Sequence, residues 1–319
     1  MSTAPLSVMV AIPARNEAER ISTCLASLAA QRGAPPFGVV VVANNCNDAT
    51  ASIARSFAGA LAITVIETMP PPPLAHAGYA RRLACEHAAR LIAPDGVLLT
   101  TDADTILPPD WIAANIAALA GVDAVAGRAV IDPDEARLIP SHLHALDALE
   151  CAYAALLDEI AALLTPLPHD PWPRHDEHSG ASIAVRLPAY HAAGGVPAIP
   201  TGEDRALFAA LAANGARIRH APEVWVTVSG RLEGRAAGGM ADTIRARIAE
   251  PPRWLDERLE PLDDRLRRLI GEPETVAAPM RRVSMDDVKD QIAQATALRD
   301  TLRQANSVTF PHAASLSIR

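Results

Sequence analysis

The first third of the chain alternates two hydrophobic patterns. Short apolar runs, "SVMVAI" at 7–12, "FGVVVVA" at 37–43, "LAITVIE" at 61–67 and Val97-Leu98-Leu99-Thr100-Thr101, are bounded by turn residues and read as buried strands. The first of them is expected to stop at Pro13. Between the runs lie segments with helical spacing: "EAERISTCLASLAAQ" with Ile21, Leu25 and Leu28 in register, "NNCNDATASIARSFA" with Asp48 as a candidate N-cap, and "AGYARRLACEHAARLI". Met69 is followed by Pro70, Pro71, Pro72 and Pro73, a stretch that can be neither helix nor central strand. After the fourth run, Pro108-Pro109-Asp110 and "WIAANIAAL" predict a turn and a new helix. Strands alternating with helices imply parallel βαβ units, and so an α/β, doubly wound, mostly parallel sheet with helices on both faces.

After "VDAVAGRAVI" the pattern changes. Residues 141–164 predict a long apolar helix with no obvious strand behind it, and "TPLPHDPWPRHDEHSG" is rich in proline and histidine. "ASIAVR" reads as a strand, "DRALFAALAANG" as a helix with Gly215 at its C′ position, and "ARIRHAPEVWVTVSG" as two short strands. Residues 250–319 alternate proline breaks with amphipathic pieces such as "DDRLRRLI" and "VKDQIAQATALRDTLR". This organisation predicts a domain over 1–249, with halves 1–120 and 121–249, and a helical C-terminal extension over 250–319 that packs on the domain or on a partner, a homodimer among the options.

Composition narrows the function classes. The chain has 319 residues, is 50% hydrophobic and carries a net charge of −8 with both signs interspersed, which argues against a nucleic-acid surface. Its sole lysine is Lys289, so neither a P-loop lysine nor a Schiff-base lysine exists in the first 288 residues. Cys24, Cys46, Cys85 and Cys151 form no Cys-x-x-Cys pair and read as reduced core thiols. No apolar run approaches the length of a membrane span, and the N-terminal run lacks the basic flank of a signal peptide. A soluble cytoplasmic protein is expected, with peripheral contact at the inner face of the membrane left open.

The most informative stretch is "LLTTDADTILPPDWI". It places Asp102 and Asp104 two positions apart at a strand's carboxyl end, the edge where open parallel sheets bind ligands. In extended backbone such side chains project to one side and can share a divalent cation through hard oxygen ligands. An acidic turn that caps the following helix is the other reading of the same pair.

Five pieces in order decide between them. "AIPARNEAERISTCLASLAAQ", "VVVVANNCNDATASIAR", "HAGYARRLACEHA", "TTDADTILPPDWI" and "HSGASIAVRLPAYHAAGGVPAIPTGEDRALFAAL" together resemble the family 2 glycosyltransferases of the GT-A fold, over roughly residues 6–247. The resemblance implies an inverting, metal-dependent enzyme of the hexosyltransferase type. It would move a sugar from a nucleoside-diphosphate sugar to a hydroxyl of a glycan, lipid-linked or small-molecule acceptor.

By that resemblance, Pro13, Arg15 and Glu17 surround the donor's nucleoside, and Arg82 joins the donor-binding set from the helix before the acidic motif. Asp102 and Asp104 bind Mg²⁺ or Mn²⁺ with the diphosphate, Asp104 directly and Asp102 nearer the ribose. Glu203-Asp204 match the family's Glu-Asp pair, whose aspartate is the catalytic base. Two departures stand out. Where relatives carry an aspartate pair after the second strand this chain has Ala43-Asn44, which leaves the choice between UDP and GDP open, because an amide offers both donor and acceptor. The glutamine-rich basic motif of the family is missing, and Arg231 and Arg235 in "VSGRLEGRAAGG" are the substitutes expected to meet the diphosphate. Acceptor contacts are expected from residues 140–180 and the C-terminal extension, with His169, His175 and His178 among them rather than on a metal.

Rival classes fit less well. A haloacid-dehalogenase-type phosphatase also places Asp-x-Asp after a buried strand, yet Ile106 stands where a threonine or valine is usual and no lysine precedes Lys289. Dinucleotide-binding and nucleotidyltransferase folds need a glycine-rich loop after a strand, and "PARNEAE" has no glycine. A glycosyltransferase-like protein that binds a nucleotide sugar without turnover is the remaining alternative.

Overall fold

The structure is a computed structural model and describes residues 6–236, 238–271 and 281–309. The four N-terminal apolar runs form strands β1 (Leu6–Ala14), β2 (Phe37–Asn44), β3 (Ala62–Thr68) and β4 (Ile92–Thr100), followed by β5 (Ala124–Ile131), β6 (Ile183–Arg186) and β7 (Ile218–Val228). The helices are α1 (Ile21–Ala29), α2 (Thr50–Ser56), α3 (Ala77–Ala89), α4 (Trp111–Ala118), α5 (Pro133–Ala136), α6 (Ser141–Leu164), α7 (Leu187–Ala192), α8 (Glu203–Ala213), α9 (Met240–Ala249), α10 (Leu262–Leu269) and α11 (Val288–Thr309).

The strands form one sheet in the order β3-β2-β1-β4-β6-β5-β7. Pairs β1/β2, β2/β3, β1/β4 and β5/β7 are parallel, whereas β6 runs antiparallel to both β4 and β5. Alternation along the central strands feeds two cores. Val8, Val10 and Ile12 face α1 and α4 with Leu25, Leu28 and Trp111, while Met9 and Ala11 face α3 and α8 with Ala84, Cys85 and Phe208. Strand β1 runs past the expected stop at Pro13. Its ladder with β4 ends at Ala11, and Pro13 pairs in register only with Val42 of β2, so no β4 bond is lost there.

Three expectations need correction. The segment read as two short strands is the single strand β7, because a register shift opposite Ala126–Arg128 absorbs Pro222 without breaking the pairing with β5. Asp48 is not the N-cap of α2: it stands one residue further back and accepts from the Thr50 amide and hydroxyl and from the Ala18 amide. Cys24 and Cys85 are core thiols as read, but Cys46 is half-buried and Cys151 is exposed on α6.

The chain divides into two compact units that do not follow the expected border at residue 249. One contains the chain up to Ile139 together with Glu177–Arg245; the other contains Pro140–Asp176 and the chain from Ala246 onward. The reason is the apolar face of α6. Tyr153, Leu156, Leu157 and Ile160 pack with Leu255, Leu259, Leu262, Val288 and Ala295, so the long helix without a following strand is the centre of the helical unit. Ion pairs Arg247–Glu150 and Arg265–Asp158 add to that unit. Residues 272–280 and 310–319 of the expected C-terminal extension lie outside the described residues. Among the described residues no helix is long and apolar enough to cross a membrane.

Candidate active site

Parallel pairing puts the carboxyl ends of β1, β2 and β4 on one edge of the sheet, and the segments that leave them line a cleft of about 420 Å³. The same cleft is lined by the loop before β6, the start of α8 and the segment after β7. Of the expected site residues, Pro13, Arg15, Glu17, Asn44, Asp102, Asp104, Glu203, Asp204, Arg231 and Arg235 all reach it.

Its organising residue is one the sequence reading missed. Arg81 on α3 is almost fully buried and spends its guanidinium on four partners: Nη2 donates to Asp102 Oδ1 at 2.6 Å, Nε to Glu203 Oε1 at 2.9 Å, and Nη1 to Thr100 Oγ1 at 2.9 Å and Gly180 O at 2.8 Å. Burial opposes the charged form, but Asp102 and Glu203 outweigh it and hold the guanidinium above the ordinary arginine range. A Cβ on Gly180 would stand 2.5 Å from Arg81 Nη2, so only glycine permits this approach. The expected residue, Arg82, is a correction. One position along the helix it turns away from the cleft and pairs with Glu86 at 2.7 Å, one turn along on the exposed face. The available signal was helical phase. Arg81 falls in the stripe that contains Ala84, Cys85 and Ala88, where an arginine has to be buried and therefore partnered.

After β4 the chain turns at Ala103–Asp104, closed by a bond from the Thr105 amide to Asp102 O, and burial alternates through the turn. Thr101, Ala103 and Thr105 are buried, while Asp102 and Asp104 open to the cleft, so the two carboxylates share a side. They are not equivalent. Asp102 is held by Arg81, whereas Asp104 Oδ2 lies 3.2 Å from Arg231 Nη2. Arg231 also forms a two-pronged pair with Glu17, with Nη1 donating to Oε2 at 2.7 Å and Nη2 to Oε1. Burial first, then Asp102 and Glu17, push the Asp104 carboxyl up to about 6 against the pull of Arg231.

On the opposite wall, Gly202 adopts a left-handed backbone, φ 75°, that starts α8 with Glu203 and Asp204 in its first turn. Glu203 points inward to Arg81. Asp204 accepts from the Gly180 amide through Oδ2 at 2.9 Å and from the Arg205 amide through Oδ1 at 2.7 Å, which fixes its plane at the cleft wall. Arg81 therefore bridges the two acidic motifs: it holds Asp102 and Glu203, and the Gly180 that accepts from it through its carbonyl donates to Asp204 through its amide.

Asn44 ends β2 and is 1% exposed. Its Nδ2 donates to His76 O at 3.3 Å, and its Oδ1 has no partner among the described residues. The backbone carbonyl takes only one of the two amide hydrogens, so Asn44 keeps one N–H beside its unpartnered carbonyl oxygen and the dual donor and acceptor character expected from the sequence is narrowed, not removed. Arg15 Nη1 donates to Ala75 O at 3.1 Å on the same side of the cleft. Arg235 is exposed and makes no ion pair among the described residues. His178 stacks on Phe208, with centroids 4.3 Å apart, and its Nε2 lies 3.0 Å from that of His220, which is consistent with a packing role. Among the described residues no three His, Cys, Asp or Glu side chains are grouped to hold a metal by themselves.

The sequence profile of the glycosyltransferase like family 2 matches residues 4–233. The chain belongs to that family and is a glycosyltransferase. Among solved structures it is similar to the S. aureus protein TarS 1-349 in complex with UDP, at 17% identity and a TM-score of 0.53, covering 98% of this chain and 94% of that one. The same protein in complex with UDP-GlcNAc matches with a TM-score of 0.52, at 17% identity and over 98% and 77% of the two chains. The mannosyltransferase PcManGT from Pyrobaculum calidifontis, in complex with GDP-Man and Mn²⁺, matches at 21% identity with a TM-score of 0.50, over 98% and 77%. These likenesses show a common fold, the GT-A fold. A search of curated proteins found no match to the chain.

Asp104 carries a stability cost with a defined sign. Its folded-state value of about 6 lies above the ordinary 3.8, so the cost is absent below about pH 3.8, grows as pH rises and is complete above about 6. A shift of that size corresponds to about 2–3 kcal/mol, so Asp104→Asn in chelator should be more stable than the parent at pH 7.5 by roughly 1–2 kcal/mol. Urea unfolding from pH 7.5 down to pH 4 checks this. The gain should shrink steadily below pH 6, and a pH-independent difference would contradict the burial of the carboxylate.

Proposed function

We propose that the cleft is the donor and transfer site of a metal-dependent, inverting glycosyltransferase that passes a sugar from a nucleoside-diphosphate sugar to an acceptor hydroxyl. The observation that carries this reading is the arrangement around Arg81: a pair of hard carboxylates on one wall, a backbone-oriented carboxylate on the other, and one buried cation joining the walls.

The donor set fits Mg²⁺ or Mn²⁺. Such cations are commonly held by one or two carboxylates plus substrate phosphates and water, so Asp104 with Asp102 suffices once a diphosphate completes the shell. The metal, when bound, would supply Lewis-acid neutralisation of the leaving diphosphate. The solved complexes of the same fold with UDP-GlcNAc and with GDP-Man and Mn²⁺ are consistent with this class of donor. Arg231 and the exposed Arg235 offer forks that suit diphosphate oxygens, and the loop that bears them would shield the reacting carbon from water. Pro13, Arg15 and Glu17 line the same cleft as Asn44, and we assign them to the nucleoside.

Asp204 is the proposed base. A sugar hydroxyl is a weak nucleophile, and a carboxylate within hydrogen-bond reach can take its proton as the new glycosidic bond forms. Two backbone donors hold the Asp204 plane, and each oxygen retains acceptor capacity for the incoming hydroxyl. Glu203, engaged by Arg81, acts as the strut that sets the start of α8.

Asp204→Asn should keep donor binding and lose transfer by about 10²-fold or more, since an amide preserves the shape but cannot accept the proton. Calorimetry with nucleoside diphosphate and Mn²⁺, alongside a transfer assay on a donor panel, is the check. Near-parental turnover would move the base elsewhere.

The nucleobase is proposed to be read at Asn44, whose unpartnered Oδ1 lies just beneath the cleft surface. Uracil and guanine each present an N–H on their pairing edge, whereas cytosine presents an acceptor at the equivalent position. UDP and GDP should therefore bind more tightly than CDP, and Asn44→Ala should weaken UDP or GDP by roughly fivefold, the size of one neutral hydrogen bond of about 1 kcal/mol, with CDP little changed. Competition binding at constant Mn²⁺ reads all three, and an equal loss for CDP would show that Asn44 does not contact the base edge.

A further inference from the structure

Arg231 is already satisfied by protein carboxylates, and this has a consequence for cation binding. Its guanidinium makes a two-pronged pair with Glu17 and lies 3.2 Å from Asp104 Oδ2, in a cluster where the three side chains are 19%, 7% and 18% exposed. At such burial, charges interact far more strongly than at an open surface and salt screens them less. A divalent cation on Asp104 would have to share the carboxylate with a positive charge in contact with it.

The backbone that presents Arg231 is built to keep it there. Glu135 on α5 collects three donors from two further segments: Arg20 Nη1 at 2.6 Å on Oε1, and the Ser229 hydroxyl and Gly230 amide at 2.8 and 2.7 Å on Oε2. Gly230 approaches so closely that a Cβ would stand 2.6 Å from Ile131 Cγ2 and 3.2 Å from Glu135 Cβ. Arg231 follows directly, with its own amide donating to Ser229 Oγ at 3.2 Å. Glu135 touches neither Asp102 nor Asp104, so its part is to position the arm.

We propose that Arg231 is the resident counter-cation of the carboxylate site, anchored through Glu135, so that a divalent cation is taken up well only together with a nucleoside diphosphate. Diphosphate oxygens match the arginine fork as well as Glu17 does, and they draw the guanidinium off Asp104 as the metal arrives. The proposal rests on the reading of Asp102 and Asp104 as metal ligands, and it adds an order of binding that the reading does not contain.

The experiment titrates Mn²⁺ into the full chain, alone and with UDP or GDP, following free Mn²⁺ by electron paramagnetic resonance. Arg231→Met should bind Mn²⁺ alone about tenfold or more tightly than the parent, as expected when a close charge is removed, while its affinity for the Mn²⁺–nucleotide pair falls. Equal or weaker binding of Mn²⁺ alone by a folded Arg231→Met overturns the proposal. Should that variant not fold, Glu135→Ala is read the same way. Loss of its negative charge would by itself weaken cation binding, so a gain supports a released arm and no gain overturns it. The two readings fail differently. Nucleotide-dependent Mn²⁺ binding by the parent with no gain in the variants removes the counter-cation alone, and no Mn²⁺ binding by any protein, with or without nucleotide, removes the metal reading and the counter-cation together.

Discussion

A buried arginine must be paired from several directions or it cannot be buried, and Arg81 satisfies that requirement with four residues from three separate segments. Thr100 ends a central strand, Asp102 begins the acidic loop, Gly180 precedes the antiparallel strand β6, and Glu203 opens α8. Once Arg81 is charged and enclosed, moving Asp102 or Glu203 away removes part of its charge compensation in a low-dielectric setting, and moving Thr100 or Gly180 leaves a buried N–H without an acceptor. The restriction on Gly180 follows from the same constraint, because the guanidinium occupies the volume of its missing side chain.

The second charged residue of the cleft obeys a different rule. Arg231 is less enclosed than Arg81, contacts Glu17 and Asp104, and hangs from a glycine-containing segment tied at its root by Glu135. One cation thus sets the frame, and the other is placed where it can exchange partners. Burial raises the proton affinity of Asp104, while the neighbouring carboxylates outweigh burial and hold Arg81 and Arg231 above the ordinary arginine range, so the cleft gathers acidic groups that are costly without a positive counterpart. A nucleoside diphosphate with its cation is electrically suited to such a place, because it brings negative oxygens for the arginines and positive charge for the aspartates.

Much of this was legible in the sequence, and the misses have physical causes. The period-two and period-3.6 patterns locate β1 to β4 and the helices between them, and 141–164 coincides with α6. Asp102 and Asp104 do open to one cleft, but through a turn at Ala103–Asp104 rather than through the alternation of extended backbone that the pattern suggests. Arg81 was passed over for Arg82 because adjacent arginines look alike until helical phase is compared with the alanine stripe. The border at 249 failed because a sequence pattern shows that α6 is apolar but not which partners cover it, and here they come from the far end of the chain. Strand β7 was cut in two because Pro222 looks like a breaker, and only the β5 partner reveals the irregular register that accommodates it. For Asn44, residue type gives donors and an acceptor, and the structure commits one of the two N–H groups to a backbone carbonyl that no pattern could have placed there.

The central claim is that Arg81 holds the two acidic motifs in one site, and a double-mutant cycle between Arg81 and Glu203 tests it most directly. Unfolding free energies for Arg81→Met, Glu203→Met and the double variant would be measured beside their affinity for nucleoside diphosphate with Mn²⁺. Arg81→Met alone should cost about 3–5 kcal/mol by leaving buried carboxylates unpaired, and the double variant should regain a substantial part of that loss, since an apolar pair needs no partner. Nucleotide binding should stay impaired in both, because Asp102 has lost its holder. A stability within about 0.5 kcal/mol of the parent for Arg81→Met, with nucleotide affinity intact, is the surface-substitution result and would contradict the claim.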